Sequence, residues 1–272
     1  MPKRDATGEH GKVPVTVALS VLNGMRTMPR LLDSVAGWTS GVVVFDTGST
    51  DGTQALCRSR GCEVIECEWA GMRGQRQRCL DHCARSPWIL LLDADEMVEA
   101  SLRDAICAAV LSESADADGF EMRRMVHFEG AWLRRTFQPE FRLRLVRGGR
   151  ARAVGSGLSG DGAHEHIVVD GPVRRLPGVL RHESWASVND FWTRSPRYCL
   201  QAEACGESGG RVIDVLARPT VVFLKQYLLK RGFLDGRRGF LMAAMMATGN
   251  SMKQITLLRK RWARQIEATA DR

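Results

Sequence analysis

Three acids close a short apolar run at Trp88-Ile-Leu-Leu-Leu-Asp-Ala-Asp-Glu96, and their spacing gives them a possible chemistry. Side chains alternate along a strand, so residues two apart share a face, roughly 6–7 Å from one another. Asp93 and Asp95 therefore point the same way from the carboxyl end of a buried strand, with Ala94 turned aside. Two carboxylates there are costly unless something positive sits between them. A divalent cation meets that need. Mg2+ or Mn2+ is commonly held by one or two carboxylates, with phosphate oxygens completing its shell. The plainer alternative is a strand followed by a helix whose first turn is acidic, which the helix dipole favours.

The elements around this stretch alternate. Apolar runs of strand length lie at Val15–Leu19, Gly41–Phe45, Glu63–Cys67 and Trp88–Leu92. Between them fall a helix from Pro29 to about Trp38, another ending near Arg60 with Ser49 or Thr50 as its cap, and a basic helix over Gly71–Ala84. Such alternation predicts an α/β fold: a Rossmann-like, mostly parallel sheet flanked by helices. Ligands of these sheets lie beyond the carboxyl ends of the strands. Asn23, Asp46, Ser49 and the Asp93/Asp95 pair all fall at those ends.

Further on, Ser101–Ser112 reads as a helix, and Gly119–Val126 and Phe141–Val146 as strands. Gly155–Gly162 is a glycine-rich loop and a candidate lid that delivers His164-Glu165-His166. Val168–Leu180 reads as a hairpin turned at Asp170-Gly171, and the chain from Ser187 as a helical extension. The expected organisation is a flexible stretch over 1–14, a catalytic domain over 15–186 and a basic helical extension over 187–272.

A chain of 272 residues, 44% hydrophobic and 26% charged, can bury a sizeable core. The polar first residues carry no apolar signal segment, and no run of about 18 apolar residues is present. A cytoplasmic location is expected. The eight cysteines include no Cys-x-x-Cys pair and read as reduced, structural thiols. Arg211–Arg272 holds 13 Lys and Arg against 4 Asp and Glu; with a net charge of +8 overall, the rest of the chain sums to −1. A basic tail suits an anionic membrane surface, an anionic acceptor or nucleic acid.

Two stretches together, Val42-Val-Val-Phe-Asp-Thr-Gly-Ser-Thr-Asp-Gly-Thr53 and Trp88–Glu96, resemble the family 2 glycosyltransferases of GT-A fold. Trp69-Ala-Gly71, Phe141–Leu145, His164-Glu165, His182-Glu-Ser-Trp185 and Gly232–Gly236 are similar to the bacterial branch that builds the lipopolysaccharide core, including β-1,4-glucosyltransferases acting on heptose. The resemblance spans about Val15 to Trp262. It implies that Asp95 binds a divalent metal, Mg2+ or Mn2+, bridging the donor diphosphate, with Asp93 supporting it through ribose or metal contact. It implies that Asp46 hydrogen-bonds the base of a nucleotide-sugar, a UDP-hexose being the expected donor, and that Asn23 lines the nucleotide pocket. The chain departs from the family pattern in two places: Thr47 stands where many members carry a second Asp. Gln75-Arg76-Gln77-Arg78 stands where a Lys and an Asn are common, which leaves Arg76 or Arg78 to meet a phosphate.

The family inverts at the anomeric carbon by a single displacement, which implies one carboxylate base for the acceptor hydroxyl. Glu165 is the first candidate, with His164 as a further metal ligand or as an orienter of the loop; Glu96 and Glu140 come next. His182 and Glu183 read as structural. Arg134, Arg135, Arg142 and Arg144 are candidates for a phosphorylated acceptor, or for a solvated strand face. The expected acceptor is a saccharide or lipid-linked saccharide of the cell envelope, with an exopolysaccharide lipid or a peptide as alternatives. Phe223–Arg231, with apolar residues at helical spacing and basics between, and the methionine-rich Phe240–Ala247 are expected to lie on the inner face of the membrane. A dinucleotide enzyme would need Gly-x-Gly-x-x-Gly after the first strand, which Val21–Arg26 does not supply. No nucleic-acid-binding motif accompanies the basic tail, so no nucleic-acid partner is expected.

Overall fold

The computed structural model describes residues 11–112, 116–155, 165–204 and 210–270. Strands β1 (Val15–Val21), β2 (Gly41–Asp46), β3 (Glu63–Glu66) and β4 (Trp88–Asp93) run parallel in the order β3-β2-β1-β4. Helices α1 (Met28–Val35), α2 (Thr53–Ser59) and α3 (Gly71–His82) make the crossovers. Both faces of these strands are covered, which is why they read as nearly continuous apolar runs. Val17, Leu19, Leu90 and Leu92 pack on one face with Met28 and Leu31 of α1. Ala18, Ile89 and Leu91 pack on the other with Cys79 and Leu80 of α3. Each fully buried leucine or isoleucine here contributes about 1.5–3 kcal/mol. The α/β fold expected from the alternation is the one observed.

Past β4 come β5 (Glu96–Val98), α4 (Ala100–Leu111), β6 (Gly119–Phe128), β7 (Ala131–Trp132), β8 (Phe141–Arg147), β9 (Ala151–Val154), β10 (His166–Val169) and β11 (Val173–His182). The sheet continues from β4 through β8, β6 and β11 to β5. In this half β8 is antiparallel to both β4 and β6, and β11 is antiparallel to β5.

Three local expectations change. Glu96 opens a strand, and α4 has no acid in its first turn, so the helix dipole is not what the acids after β4 serve. Ser49 and Thr50 do not cap α2. Asp51 does that work, its Oδ1 accepting from the backbone N–H and the hydroxyl of Thr53. The chain does turn at Asp170-Gly171, but the flanking strands are not a hairpin: β10 pairs with β9, and β11 with β5. The β9–β10 pair brings Ala153 and Ile167 onto the α3-side core, burying apolar area that a hairpin with β11 would leave uncovered.

The chain divides into two compact units. The described residues of Met1–Arg124, Glu140–Val154 and Glu165–Glu183 form one; those of Met125–Pro139, Gly155–His164 and Ser184–Arg272 form the other. The second unit contains α5 (Val188–Ala204), α6 (Val212–Leu224) and α7 (Gly236–Ala270). It has its own core of Val126, Phe128, Leu133, Phe191, Met242 and Met245. Two methionines of Phe240–Ala247, Met242 and Met245, are thus core residues, whereas Phe240 at the start of that segment is exposed. Among the described residues no helix is long and apolar enough to cross a membrane. Cys57, Cys62, Cys67, Cys79, Cys83, Cys107 and Cys199 are all free thiols, as expected.

Candidate active site

The end of β4 carries a cluster of charge drawn from four elements of the first unit. Arg76 of α3 donates through Nη2 to Asp93 Oδ1 at 2.6 Å. Arg144 of β8 donates through Nη2 to Asp93 Oδ2 and to Glu96 Oε1, the latter at 2.7 Å. Arg124 of β6 reaches Glu96 Oε1 at 3.2 Å and Glu140 Oε1 at 2.6 Å. Glu96, fully buried, also accepts the Asp93 backbone N–H at 3.0 Å. Three guanidinium groups therefore meet three carboxylates, which is what keeps so many buried charges tolerable. Burial alone would raise the Asp93 carboxyl, but Arg144, then Arg76 and Arg124, hold it far below its ordinary range. Burial would raise Glu140 too, and Arg124 followed by Arg142 outweighs it and lowers that group.

Asp95 is treated differently. Among the described residues it forms no ion pair with arginine; its partner is His182, whose Nε2 lies 3.5 Å from Asp95 Oδ1. The side chain is only 25% exposed. Burial pushes its carboxyl up, with Asp93 and Glu96 adding to the rise and His182 opposing it. The backbone locks the pair together: β11 pairs with β5 so that His182 faces Glu96, and the next N–H, of Glu183, donates to the Asp95 carbonyl at 2.9 Å.

A metal fits this place in one respect and not in another. Among the described residues no three His, Cys, Asp or Glu side chains converge into a cage. A half-buried carboxylate left without arginine, beside an imidazole, is instead suited to a hard cation that keeps part of its shell for phosphate and water. Asp95 and His182 would hold it. Asp93, expected to share it, has both oxygens turned to arginine. His164, expected as a further ligand, lies outside the described residues.

At the end of β2 the partners of the acid are uncharged donors. Asp46, fully buried, accepts at Oδ1 from the backbone N–H groups of Gly48 and Ser49 and from Gln54 Nε2, at 2.8–3.0 Å. Burial would raise it; the bonds from Ser49, Gln54 and Gly48 lower it overall. Its Oδ2 is buried with no hydrogen-bond partner among the described residues. Asn23, at φ 53°, and Ser49 strap the two loops together. The Asn23 N–H donates to Ser49 Oγ, and the Thr50 N–H to Asn23 Oδ1, each at 2.8 Å.

Glu165 joins the cluster through Arg76, with Oε1 3.6 Å from Arg76 Nε and a side chain 14% exposed. Arg78 is directed elsewhere: its Nη1 donates to the Glu68 carbonyl and to Gln75 Oε1. Glu96 and Glu140 lose standing as bases, because arginines occupy their oxygens. Arg144 is buried and committed to Asp93 and Glu96, so it is not an acceptor contact. A shallow recess beside the cluster is lined by Ser20, Trp69, Met72, Gln75, Arg76 and Asp93.

The structure thus gathers Asp93, Asp95, Arg76 and Glu165 at one strand end, with Asp46, Asn23 and Ser49 at the ends of β1 and β2. Sequence reasoning missed Arg124 and passed over His182 as structural. The available signal for Arg124 was a charge among the apolar residues of β6; for His182, it was an imidazole followed by an acid at a strand end.

The family model for glycosyl transferase family 2 matches residues 16–152. The chain is 28% identical over 242 residues to the lipopolysaccharide core biosynthesis glycosyltransferase LpsC of Rhizobium meliloti, covering 85% of this chain and 87% of that protein. It is 24% identical to the uncharacterized glycosyltransferase RP128 of Rickettsia prowazekii, over 83% of this chain and 80% of the relative. Among solved structures, the glucosyl-3-phosphoglycerate synthase of Mycobacterium tuberculosis is a distant likeness, at a TM-score of 0.41 and 16% identity over 73% of this chain and 82% of that one. With half of its length matched to the family, including both acid-bearing strand ends, the chain belongs to glycosyl transferase family 2.

Proposed function

We propose that this chain transfers a hexose, with inversion, from a UDP-sugar to a hydroxyl of a cell-envelope saccharide such as lipopolysaccharide core. The observation that carries the reading is the contrast at the end of β4, where a saturated Asp93 lies beside a half-buried Asp95 left to His182. Asp95 and His182 are the residues placed to hold Mg2+ or Mn2+. Such an ion, when bound, offsets the negative charge that grows on a leaving diphosphate. Asp46 Oδ2 is a buried acceptor in want of a donor, and the N–H of a nucleobase would satisfy it. The Asn23–Ser49 strap keeps that pocket in shape.

Glu165 is the proposed base. It takes the proton of the acceptor hydroxyl as that oxygen attacks the anomeric carbon. Arg76, shared between Asp93 and Glu165, orients the base relative to the strand end. The LpsC likeness supports a lipopolysaccharide-core acceptor. The protein then works at the inner face of the cytoplasmic membrane, where a lipid-linked acceptor is presented.

The test is a panel of nucleotide-sugars with Mn2+ or Mg2+, scored by thermal shift and slow donor hydrolysis, with transfer to a lipopolysaccharide-core acceptor as the final readout. Glu165→Gln is expected to abolish transfer while leaving donor affinity nearly intact. Full turnover by that variant would move the base elsewhere.

A further inference from the structure

The second unit exposes an apolar surface that its own fold does not use. Val212, Ile213 and Leu216 of α6 are 59%, 59% and 67% exposed. The chain then passes through a π-helical turn, Lys225–Leu229, and a 3-10 turn, Gly232–Asp235, which present Leu228, Leu229, Phe233 and Leu234. Leu229 is 80% exposed and Leu234 57%. A run of exposed large apolar side chains marks an interaction surface rather than ordinary scatter.

This apolar tip of the segment is held by specific contacts. The Asp235 carboxylate accepts the backbone N–H groups of Arg134, Arg135 and Thr136 and the Thr136 hydroxyl, at 2.8–3.0 Å. Gln226 Oε1 accepts the Phe137 N–H at 3.1 Å. Gly232 is packed so tightly that a Cβ would meet the Gln226 carbonyl at 2.6 Å. Arg231 is held at φ 57°, which turns the chain between the two short helices. Phe233 sets one edge of its ring against Tyr227, while Leu228, Leu229 and Leu234 are each more than half exposed.

The charge around the tip has one sign. Residues 211–240 contain two acids, Asp214 and Asp235. Asp214 is buried and paired with Arg211 and Arg218, and Asp235 faces the backbone donors just named. The exposed side chains of Lys225, Arg231 and Arg237 therefore border the apolar tip without an opposing carboxylate from this segment. An apolar wedge ringed by cations matches the interface of a bilayer that contains anionic lipid, whose headgroups meet the cations while the wedge enters the acyl boundary.

We propose that the Val212–Leu234 face docks the protein on an anionic lipid bilayer, with Leu228, Leu229, Phe233 and Leu234 as the inserted wedge. This gives the proposed glycosyltransferase its place beside a lipid-linked acceptor, but its test does not depend on sugar transfer.

The full chain is floated with vesicles of phosphatidylcholine alone or mixed with phosphatidylglycerol. Binding is expected only with the anionic vesicles and should weaken as salt rises. L229E/F233E/L234E is expected to lose binding at least about tenfold, and K225E/R237E by a comparable factor, since each surface cation contributes about 1 kcal/mol. Donor-nucleotide thermal shift checks the fold and the active site of each variant separately; its loss in the parent would count against the glycosyltransferase reading alone. Should the triple variant not fold, the charge-reversal variant carries the test. Unchanged vesicle binding by the folded variants, no binding by the parent, or a fall in oligomeric mass as the variants' only effect would overturn the proposal, the last by assigning the face to a second copy.

Discussion

Asp93 and Asp95 are separated by one alanine and live on opposite sides of an electrostatic divide. The Asp93 side of the strand end is closed: Arg76, Arg124 and Arg144 satisfy every nearby carboxylate, and the result is a rigid, internally neutral frame. The Asp95 side is left open, with an imidazole in place of a guanidinium and a carboxyl that burial pushes up. Asp95 lies just past Asp93, in the turn between β4 and β5. The adjoining strands β6 and β8 bring arginine to Asp93 and β11 brings His182 to Asp95, which is the basis for proposing that one is scaffold and the other holds a ligand.

That division can be broken by mutation, and the effects should fall in a definite order. Asp95→Asn is expected to cut metal-dependent transfer about 1,000-fold, the scale for losing a preorganised electrostatic contact. Its thermal midpoint in chelator should not fall, because a neutral group replaces a carboxylate that the fold does not favour. Asp93→Ala should do the reverse to stability. Leaving Arg76 and Arg144 buried without their partner costs about 3 kcal/mol, measurable by denaturant unfolding. If the two variants lose stability equally, the contrast between the two sides is wrong.

Smaller effects sharpen the picture. Asp46→Asn should weaken nucleotide binding about tenfold by calorimetry, through the lost acceptor, with little change in turnover at saturating donor. Glu140→Gln probes the closed side through pH. Its folded-state pKa lies below the unfolded value, so the Arg124–Glu140 bond contributes stability above the unfolded pKa and loses it as pH falls through the folded one. The variant should therefore be about 1 kcal/mol less stable than the parent at pH 7, with the gap closing as the pH falls through the folded-state pKa. A gap that persists in acid would mean that Glu140 acts through packing alone.

Much of the parallel half was legible because its rules are local. Apolar runs bounded by Asp46 and Asp93 named the strands, and crossover helices placed those acids at one edge. The antiparallel half was harder. Phe141-Arg-Leu-Arg-Leu-Val146 alternates cleanly, which fixes that Arg142 and Arg144 share a face. Alternation cannot say whether that face meets water or a polar interior; Arg144 turned out to be buried against Asp93 and Glu96. His182 depends on a pairing between β5 and β11, which are remote in sequence and separated by a helix and five strands. The helix cap shows the same limit at short range: Asp51 competes with Ser49 and Thr50 for one role, and Ser49 is drawn off by Asn23.

Gly178 gives this architecture a distant point of control. It lies within β11 at φ 100°, and a Cβ there would come within 2.6 Å of the Leu102 backbone in α4. An alanine would strain the strand and push it from the helix, four residues before His182. Because adjacent residues of a strand face opposite ways, a slip of one position would carry the imidazole off and bring Arg181 round in its stead. The divalent-ion site proposed at Asp95 is thus hostage to a methyl group's worth of space beneath a helix, and a loss of sugar transfer caused there would mimic an active-site lesion.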